Sequence, residues 1–380
     1  MSGVDGAIVD DLGFRLDAMI ADLKELVTQE SPSRSVPELS LCAATLAAIF
    51  ERVTGKPAEI VDSGDPTRGP HVRWQGGVEP KVLILGHYDT VFPKGTIDVR
   101  PFRLDNGVAT GPGVFDMKAA IIQAVYAISV LDDHVRSSVE VLFTSDEEIG
   151  SASSKELLLE RAHSAGNVLV LEPSADGGAL KTARKGTGTF ELVFTGRASH
   201  AGLEPEKGIN ALVEMAAQIP VIAALAKPEI GTTVTPTVAS AGTADNVVPA
   251  EARLFVDVRV EASGEKERIE NAIAKLTPTV EGCVIDVLGG IGRPPMPAST
   301  SDSLFALAQR CAEELGLGQI EGVAVGGGSD GNFTAAAGIP TLDGLGAVGG
   351  SAHGEAEHVL VEEMPKRAAL LAALMHALAS

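Results

Sequence analysis

Apolar positions recur at helical spacing over residues 10 to 29 and 37 to 54, which predicts two amphipathic helices near the start of the chain. Farther on the pattern changes. KVLILG, VEVLFT and NVLVLE are apolar without alternation, so each predicts a strand buried on both faces of a parallel sheet. Helices are expected between them, at roughly Lys118 to Leu131 and Ser153 to Ala162. Alternation of this kind predicts an α/β fold, a mixed, mostly parallel sheet sandwiched by helices.

From about Lys185 the rhythm breaks. TGTFELVFTG alternates like a strand with one wet face, a helix fits Gly208 to Ala226, and TTVTPTVASAG and EARLFVDVRV are again strand-like. A helix near Lys266 to Lys275 and a last strand, CVIDVLG, complete two strand-and-helix blocks, the order of an inserted α+β domain of ferredoxin-like type. The Gly- and Pro-rich GGIGRPPMP reads as the hinge by which the chain returns to its first domain. The expected organisation is a catalytic domain in two parts, residues 1–185 and 293–380, around an insertion at 186–292.

The 380 residues are 45% hydrophobic and 21% charged, enough apolar material for sizeable cores. Lys and Arg number 30 against 51 Asp and Glu, a net charge of −21 that opposes binding to nucleic acid or an anionic membrane. Cys42, Cys283 and Cys311 are widely spaced and form no CxxC pair, which argues against a disulfide framework or a thiolate zinc site. The acidic start MSGVDGAIVDDLGF lacks a basic segment followed by an apolar one, and no run of about 18 apolar residues occurs, so a cytoplasmic protein is expected.

In open α/β sheets chemistry gathers at the carboxyl ends of strands, and the polar clusters of this chain fall there. KVLILG runs into His87 and Asp89, whose i, i+2 spacing lets the aspartate accept an imidazole N–H; a hydrogen-bonded histidine beside a turn is the plainer alternative. Asp116 sits on a Gly/Pro turn before a helix, where capping is also natural. VEVLFT leads to Glu147 and Glu148, and NVLVLE ends on Glu172. His353 and His358 occupy GGSAHGEAEHV, a loop that taken alone reads as surface. Jointly, a histidine, an aspartate, a Glu-Glu pair, a further glutamate and a late histidine at several strand ends form a ligand set for two divalent metals.

With GHYDTVF, GPGVFDMKA, TSDEEIGS, LEPS, GRASHAG, DNVVPAEARLFVDVR, GGGSDGNF and SAHGEAEHV in this order, the sequence resembles the co-catalytic zinc peptidase and deacylase family that includes glutamate carboxypeptidase, acetylornithine deacetylase, succinyl-diaminopimelate desuccinylase and aminoacylase. LEPS, ARKG and GRPPM bring it nearest to the glutamate carboxypeptidases. The resemblance implies two zinc ions, with cobalt or manganese as substitutes. It implies that Asp116 bridges the metals, that His87 and Glu172 complete one ligand set and Glu148 and His353 the other, and that Glu147 is the general base with Asp89 supporting His87. It further implies a cis peptide between Asp116 and Met117, and a homodimer through the inserted lid domain in which His200 reaches the neighbouring active site. Asn246 and Arg259 would hold the substrate carboxylate, and the Gly327, Gly328 and Ser329 turn would touch substrate. The alanines after DMK, where many relatives have glycine, are expected to affect packing only.

Such a set suits amide hydrolysis, because two metals can activate water and polarise a carbonyl while a glutamate that is not a ligand carries the proton to the leaving amine. The expected substrate is a small peptide or N-acyl amino acid with a free carboxylate, cleaved in carboxypeptidase fashion. An N-acyl amino acid deacylase, and a non-catalytic metal- or peptide-binding dimer, are the alternatives.

Overall fold

The computed structural model describes residues 6–262 and 264–379. The acidic start of the chain lies partly outside this range, at residues 1–5.

The two apolar runs near the start form three helices, α1 (Ala7–Phe14), α2 (Leu16–Thr28) and α3 (Val36–Thr54). The first run divides because the backbone leaves helical values at Arg15 (φ −94°, ψ 2°), two residues after Gly13, a poor helix former. Strands β1 (Glu59–Val61), β2 (His71–Gln75) and β3 (Val82–His87) follow, then α4 (Ala119–Ser129), β4 (Val139–Thr144), α5 (Lys155–Ala165) and β5 (Val168–Val170). They build one sheet in the order β1-β2-β4-β3-β5, with a short later strand, Thr341–Leu342, on the far edge. β3 runs parallel to β4 and β5, and Thr341–Leu342 parallel to β5, while β1 and β2 add antiparallel pairs at the other edge.

The apolar runs are continuous because the sheet is covered on both faces. Successive side chains of β3 point to opposite sides. Val82 and Ile84 enter a large core with Ile121 and Val125 of α4, whereas Leu83 and Leu85 enter a second with Leu158 and Ala162 of α5, Phe333 and Ile339. Fully burying such a side chain is worth about 1.5–3 kcal/mol, so a polar residue at any of these positions would be opposed. Apart from Glu140, which is buried against Arg73 near the start of β4, the polar side chains fall at the carboxyl ends of β3, β4 and β5, which lie side by side.

The chain divides into two units, Met1–Ala183 with Pro297–Val325 and Ser329–Ser380, and Arg184–Met296 with Gly326–Gly328. The second contains β6 (Gly186–Thr195), α6 (Ala211–Ala223), β7 (Thr233–Ala241), β8 (Glu251–Val260), α7 (Glu265–Ala274) and β9 (Val284–Arg293). Its sheet is antiparallel in the order β7-β8-β6-β9, the ferredoxin-like arrangement. Alternate residues of β8, from Ala252 to Val260, pack with Phe190 of β6, Met215 of α6 and Ile269 of α7. The Asn210 side chain caps α6 by accepting the Val213 N–H at 3.1 Å.

The first half of GGIGRPPMP is strand, and the chain leaves the second unit within its second half. β9 continues through Gly289 (φ 83°) and Gly290 (φ 157°), which accommodate a register shift, and reaches Arg293. The unit ends at Met296. The first unit resumes with α8 (Asp302–Glu314) and closes with α9 (Met364–Ala379), whose Leu370, Leu371 and Leu374 join the large core. Among the described residues no helix is long and apolar enough to cross a membrane.

Candidate metal centre

His87 is the last residue of β3 and is 1% exposed. Its Nδ1 lies 3.0 Å from the Asp89 carbonyl oxygen and 3.5 Å from Asp89 Oδ1, so the backbone carbonyl is the nearer partner. That turns Nε2 outward from the strand end, 3.2 Å from Asp116 Oδ1 and 3.7 Å from Glu172 Oε1. Asp116 belongs to the turn before α4, where it is extended (φ −113°, ψ 91°) and not a helix cap, and its bond to Met117 is cis. Glu172 lies two residues beyond β5.

Glu147 and Glu148 occupy a short turn after β4. The Asp89 carboxylate accepts both of their backbone N–H groups, Glu147 at 3.2 Å through Oδ1 and Glu148 at 3.3 Å through Oδ2. Asp89 therefore supports the Glu-Glu turn as well as His87, a role that the HxD spacing alone did not reveal. His353, at φ 64° on the loop between Gly349–Gly350 and His358–Leu360, places Nε2 3.1 Å from Glu148 Oε1 and 3.3 Å from Asp116 Oδ2. The two oxygens of Asp116 thus face two different imidazoles.

Ligand atoms of His87, Glu147 and Glu172 lie within 4.8 Å of one another, as do those of His87, Asp116 and Glu148. Imidazole nitrogen with carboxylate oxygen is the donor chemistry of zinc and similar divalent ions. Four carboxylates, Asp116, Glu147, Glu148 and Glu172, converge on two imidazoles, and a divalent cation would neutralise that surplus of anionic oxygen. The residues present therefore fit a metal.

The charges already respond to one another. Hydrogen bonds to Asp116 and then Glu148 push His353 up to about 10. For His87 burial opposes the charge, but the bonds to Asp116 and Asp89 and the charge of Glu147 outweigh it, and its pKa stands well above the usual histidine range. Burial likewise works against an ionised Asp116, yet His353 and His87 hold its carboxyl well below the usual range.

Of the other predicted residues, all but Ser329 belong to the second unit. In the second unit, His200 is exposed and its Nδ1 accepts the N–H groups of Gly202 (3.1 Å) and Leu203 (3.2 Å), which leaves the proton of the neutral ring on Nε2. Asn246 is close by in that unit, its carbonyl accepting the Ala201 N–H at 2.9 Å. Arg259 makes a two-pronged bond with Asp257, 3.0 Å from Nε to Oδ1 and 2.8 Å from Nη2 to Oδ2. The carbonyls of Gly327 and Gly328 accept from Arg184 at 3.1 and 3.4 Å. Ser329, in the first unit, is buried and donates its hydroxyl to Asp343 at 2.6 Å. Sequence reasoning also passed over Glu357, read as part of a polar loop; it is 1% exposed and bonded to the Asp116 turn.

An α/β sheet with imidazoles and carboxylates gathered at its strand ends is the setting of a metal-dependent enzyme. Residues 83–377 match the family model described as Peptidase family M20/M25/M40. The chain is 30% identical over 377 residues to carboxypeptidase G2 of Pseudomonas sp. (strain RS-16), covering 94% of this chain and 88% of that protein. It is 28% identical over 311 residues to succinyl-diaminopimelate desuccinylase of Thioalkalivibrio sulfidiphilus (strain HL-EbGR7), covering 76% and 81%. Among solved structures it shares its fold with the M20 family metallo-carboxypeptidase Sso-CP2 from Sulfolobus solfataricus, with TM-score 0.78, 17% identity, and 95% and 99% of the two chains covered. The chain belongs to peptidase family M20/M25/M40, and is a hydrolase of its metallopeptidase and amidohydrolase kind.

A pH dependence of metal uptake follows. Both histidines are raised, which favours their protonated forms in the metal-free protein, and an imidazole would ligate only when neutral. Calorimetry in buffers of different ionisation enthalpy should show release of about two protons per chain on zinc loading at pH 7, with affinity rising as pH is raised. Uptake without proton release would contradict the charge states described.

Proposed function

We propose that this enzyme is a two-zinc carboxypeptidase that cleaves an amide bond next to a free carboxylate in a small peptide. The observation that carries the reading is Asp116 standing between His87 and His353 with one oxygen toward each. In this reading Asp116 would be shared by both ions, His87 and Glu172 would hold one, and Glu148 and His353 the other. The ions, when bound, would lower the pKa of a water molecule and polarise the scissile carbonyl.

The remaining work falls to side chains. Glu147, 7% exposed, takes the proton from the attacking water and passes it to the leaving amine. Its N–H bond to Asp89 fixes where the carboxylate starts, and the same aspartate steadies His87. The Nε2–H of His200 is a donor suited to the tetrahedral oxyanion. Arg259 offers a planar fork for the substrate carboxylate, with Asp257 as its resting partner, and Asn246 is proposed to assist. Gly327, Gly328 and Ser329 are the proposed substrate turn, through the backbone rather than the buried Ser329 hydroxyl.

The similarity to carboxypeptidase G2 supports peptidase action. The similarity to a desuccinylase keeps N-acyl amino acid deacylation as the second reading. Hydrolysis of a panel of dipeptides and N-acyl amino acids, with zinc and with cobalt, decides between them. Preferential cleavage of the dipeptides supports the proposal, and preferential release of acyl groups replaces it with the deacylase. A cytoplasmic location belongs to the same proposal.

Glu147→Gln keeps the shape of the base but cannot accept the proton, so turnover should fall at least about 10²-fold while two metals per chain remain. Glu148→Gln should lose metal. Metal analysis beside kinetics checks both, and the opposite pattern would reassign the pair, since the Glu147 carboxylate also lies close to His87 and Glu172.

The proposal includes a homodimer through the Arg184–Met296 unit. Its support is that β7 and β9 are sheet edges bearing exposed Val238, Val284 and Leu288, which a symmetric partner could cover. If His200 serves the neighbouring chain, refolding inactive Glu147→Ala and His200→Ala chains together should restore activity approaching roughly a quarter of wild type, because one site per mixed dimer is intact. Continued inactivity after verified chain exchange would eliminate the shared site.

A further inference from the structure

We infer that Glu357 is a positioning residue of the metal centre, a buried carboxylate that holds the turn from Gly113 to Asp116 in the shape that presents Asp116, and ties that turn to the loop carrying His353. This deepens the two-metal reading and rests on it for the roles of Asp116 and His353.

Glu357 Oε1 accepts the backbone N–H of Phe115 at 2.9 Å and of Asp116 at 3.0 Å, and Oε2 accepts that of Gly113 at 3.0 Å. These amides precede α4, where the chain turns through a left-handed Gly113 (φ 71°) and an extended Asp116. Phe115 and Asp116 are buried, so the carboxylate replaces the water that their N–H groups would otherwise require. Burial pushes the Glu357 carboxyl up, the three N–H groups work against that shift, and each bond is stronger when the carboxyl is ionised.

The fold brings these distant segments together through a short antiparallel pair in which His358 stands opposite Thr110. Glu357 thus leaves one strand where the 111–116 turn leaves the other. Only three residues separate it from His353, whose Nε2 faces Asp116 Oδ2. One loop therefore supplies both an imidazole beside the Asp116 carboxylate and the anion that fixes the Asp116 backbone. With both Glu357 oxygens on backbone amides, the residue acts on the centre through Asp116 and not as a ligand. Partners of this kind, once removed, typically lower metal affinity or activity 10- to 100-fold.

Glu357→Gln tests this, because its amide nitrogen must oppose at least one of the three N–H groups. Zinc affinity by chelator competition should fall about 10- to 100-fold. The absorption bands of the cobalt-loaded protein should shift, and hydrogen exchange at Gly113, Phe115 and Asp116 should accelerate in the metal-free protein, with far-ultraviolet circular dichroism unchanged. If this variant does not fold, Glu357→Asp, which keeps the charge but is shorter by one methylene, decides by the same readouts. A folded variant with wild-type zinc affinity and exchange at the three amides overturns the inference, even if it melts at a lower temperature. Failure of the wild-type protein to bind two metals is a separate result that removes the site reading, while the metal-free exchange measurement still reports whether Glu357 holds the turn.

Discussion

The proposed centre depends on one electrostatic arrangement, the Asp116 carboxylate lying between the imidazoles of His87 and His353. The Asp116 backbone sets where this carboxylate can reach, so both imidazoles are faced together only while the turn that carries it keeps its place. Burial by itself would favour the neutral acid, yet the two histidines keep Asp116 ionised. The arrangement thus maintains its own charge, ready for cations that would take the place of the imidazole protons.

Two further carboxylates hold the backbones that present these groups. Asp89 accepts the amides of Glu147 and Glu148, and Glu357 accepts those of Gly113, Phe115 and Asp116. Both turns are the starts of short helical segments, whose leading N–H groups have no partner within the segment. Charged acceptors supply that need where water is excluded. A site rich in aspartate and glutamate therefore divides its carboxylates by role, some aimed at the metals and some at the chain that carries them.

How much of this was legible in the sequence followed from how local each cause was. Continuous apolar runs mark β3, β4 and β5 because both faces of the sheet are covered, and His87, Glu147, Glu148 and Glu172, at or just after those runs, are among the residues that converge. Alternation along β8 likewise marks a sheet with one apolar face. The passage of β9 into a Gly- and Pro-rich stretch was not legible, since strand pairing overrides local preference there, whereas the break at Arg15 follows Gly13, a local signal that the apolar periodicity ran across. Glu357 was hidden for a related reason. A glutamate among Gly, Ala and His reads as solvated, and only a strand pair joining residues 108–110 to 358–360 buries it against the Asp116 turn. The Arg259 fork was recognisable as a carboxylate binder, but its bond to Asp257 depends on alternate residues of one strand sharing a face.

The most direct test of the central claim is anomalous diffraction at the zinc edge from crystals grown with zinc. The account predicts two peaks, about 3.5 to 4 Å apart, one on each oxygen of Asp116, with His87 and Glu172 beside the first and Glu148 and His353 beside the second. A single peak, or two peaks that do not share Asp116, would contradict it.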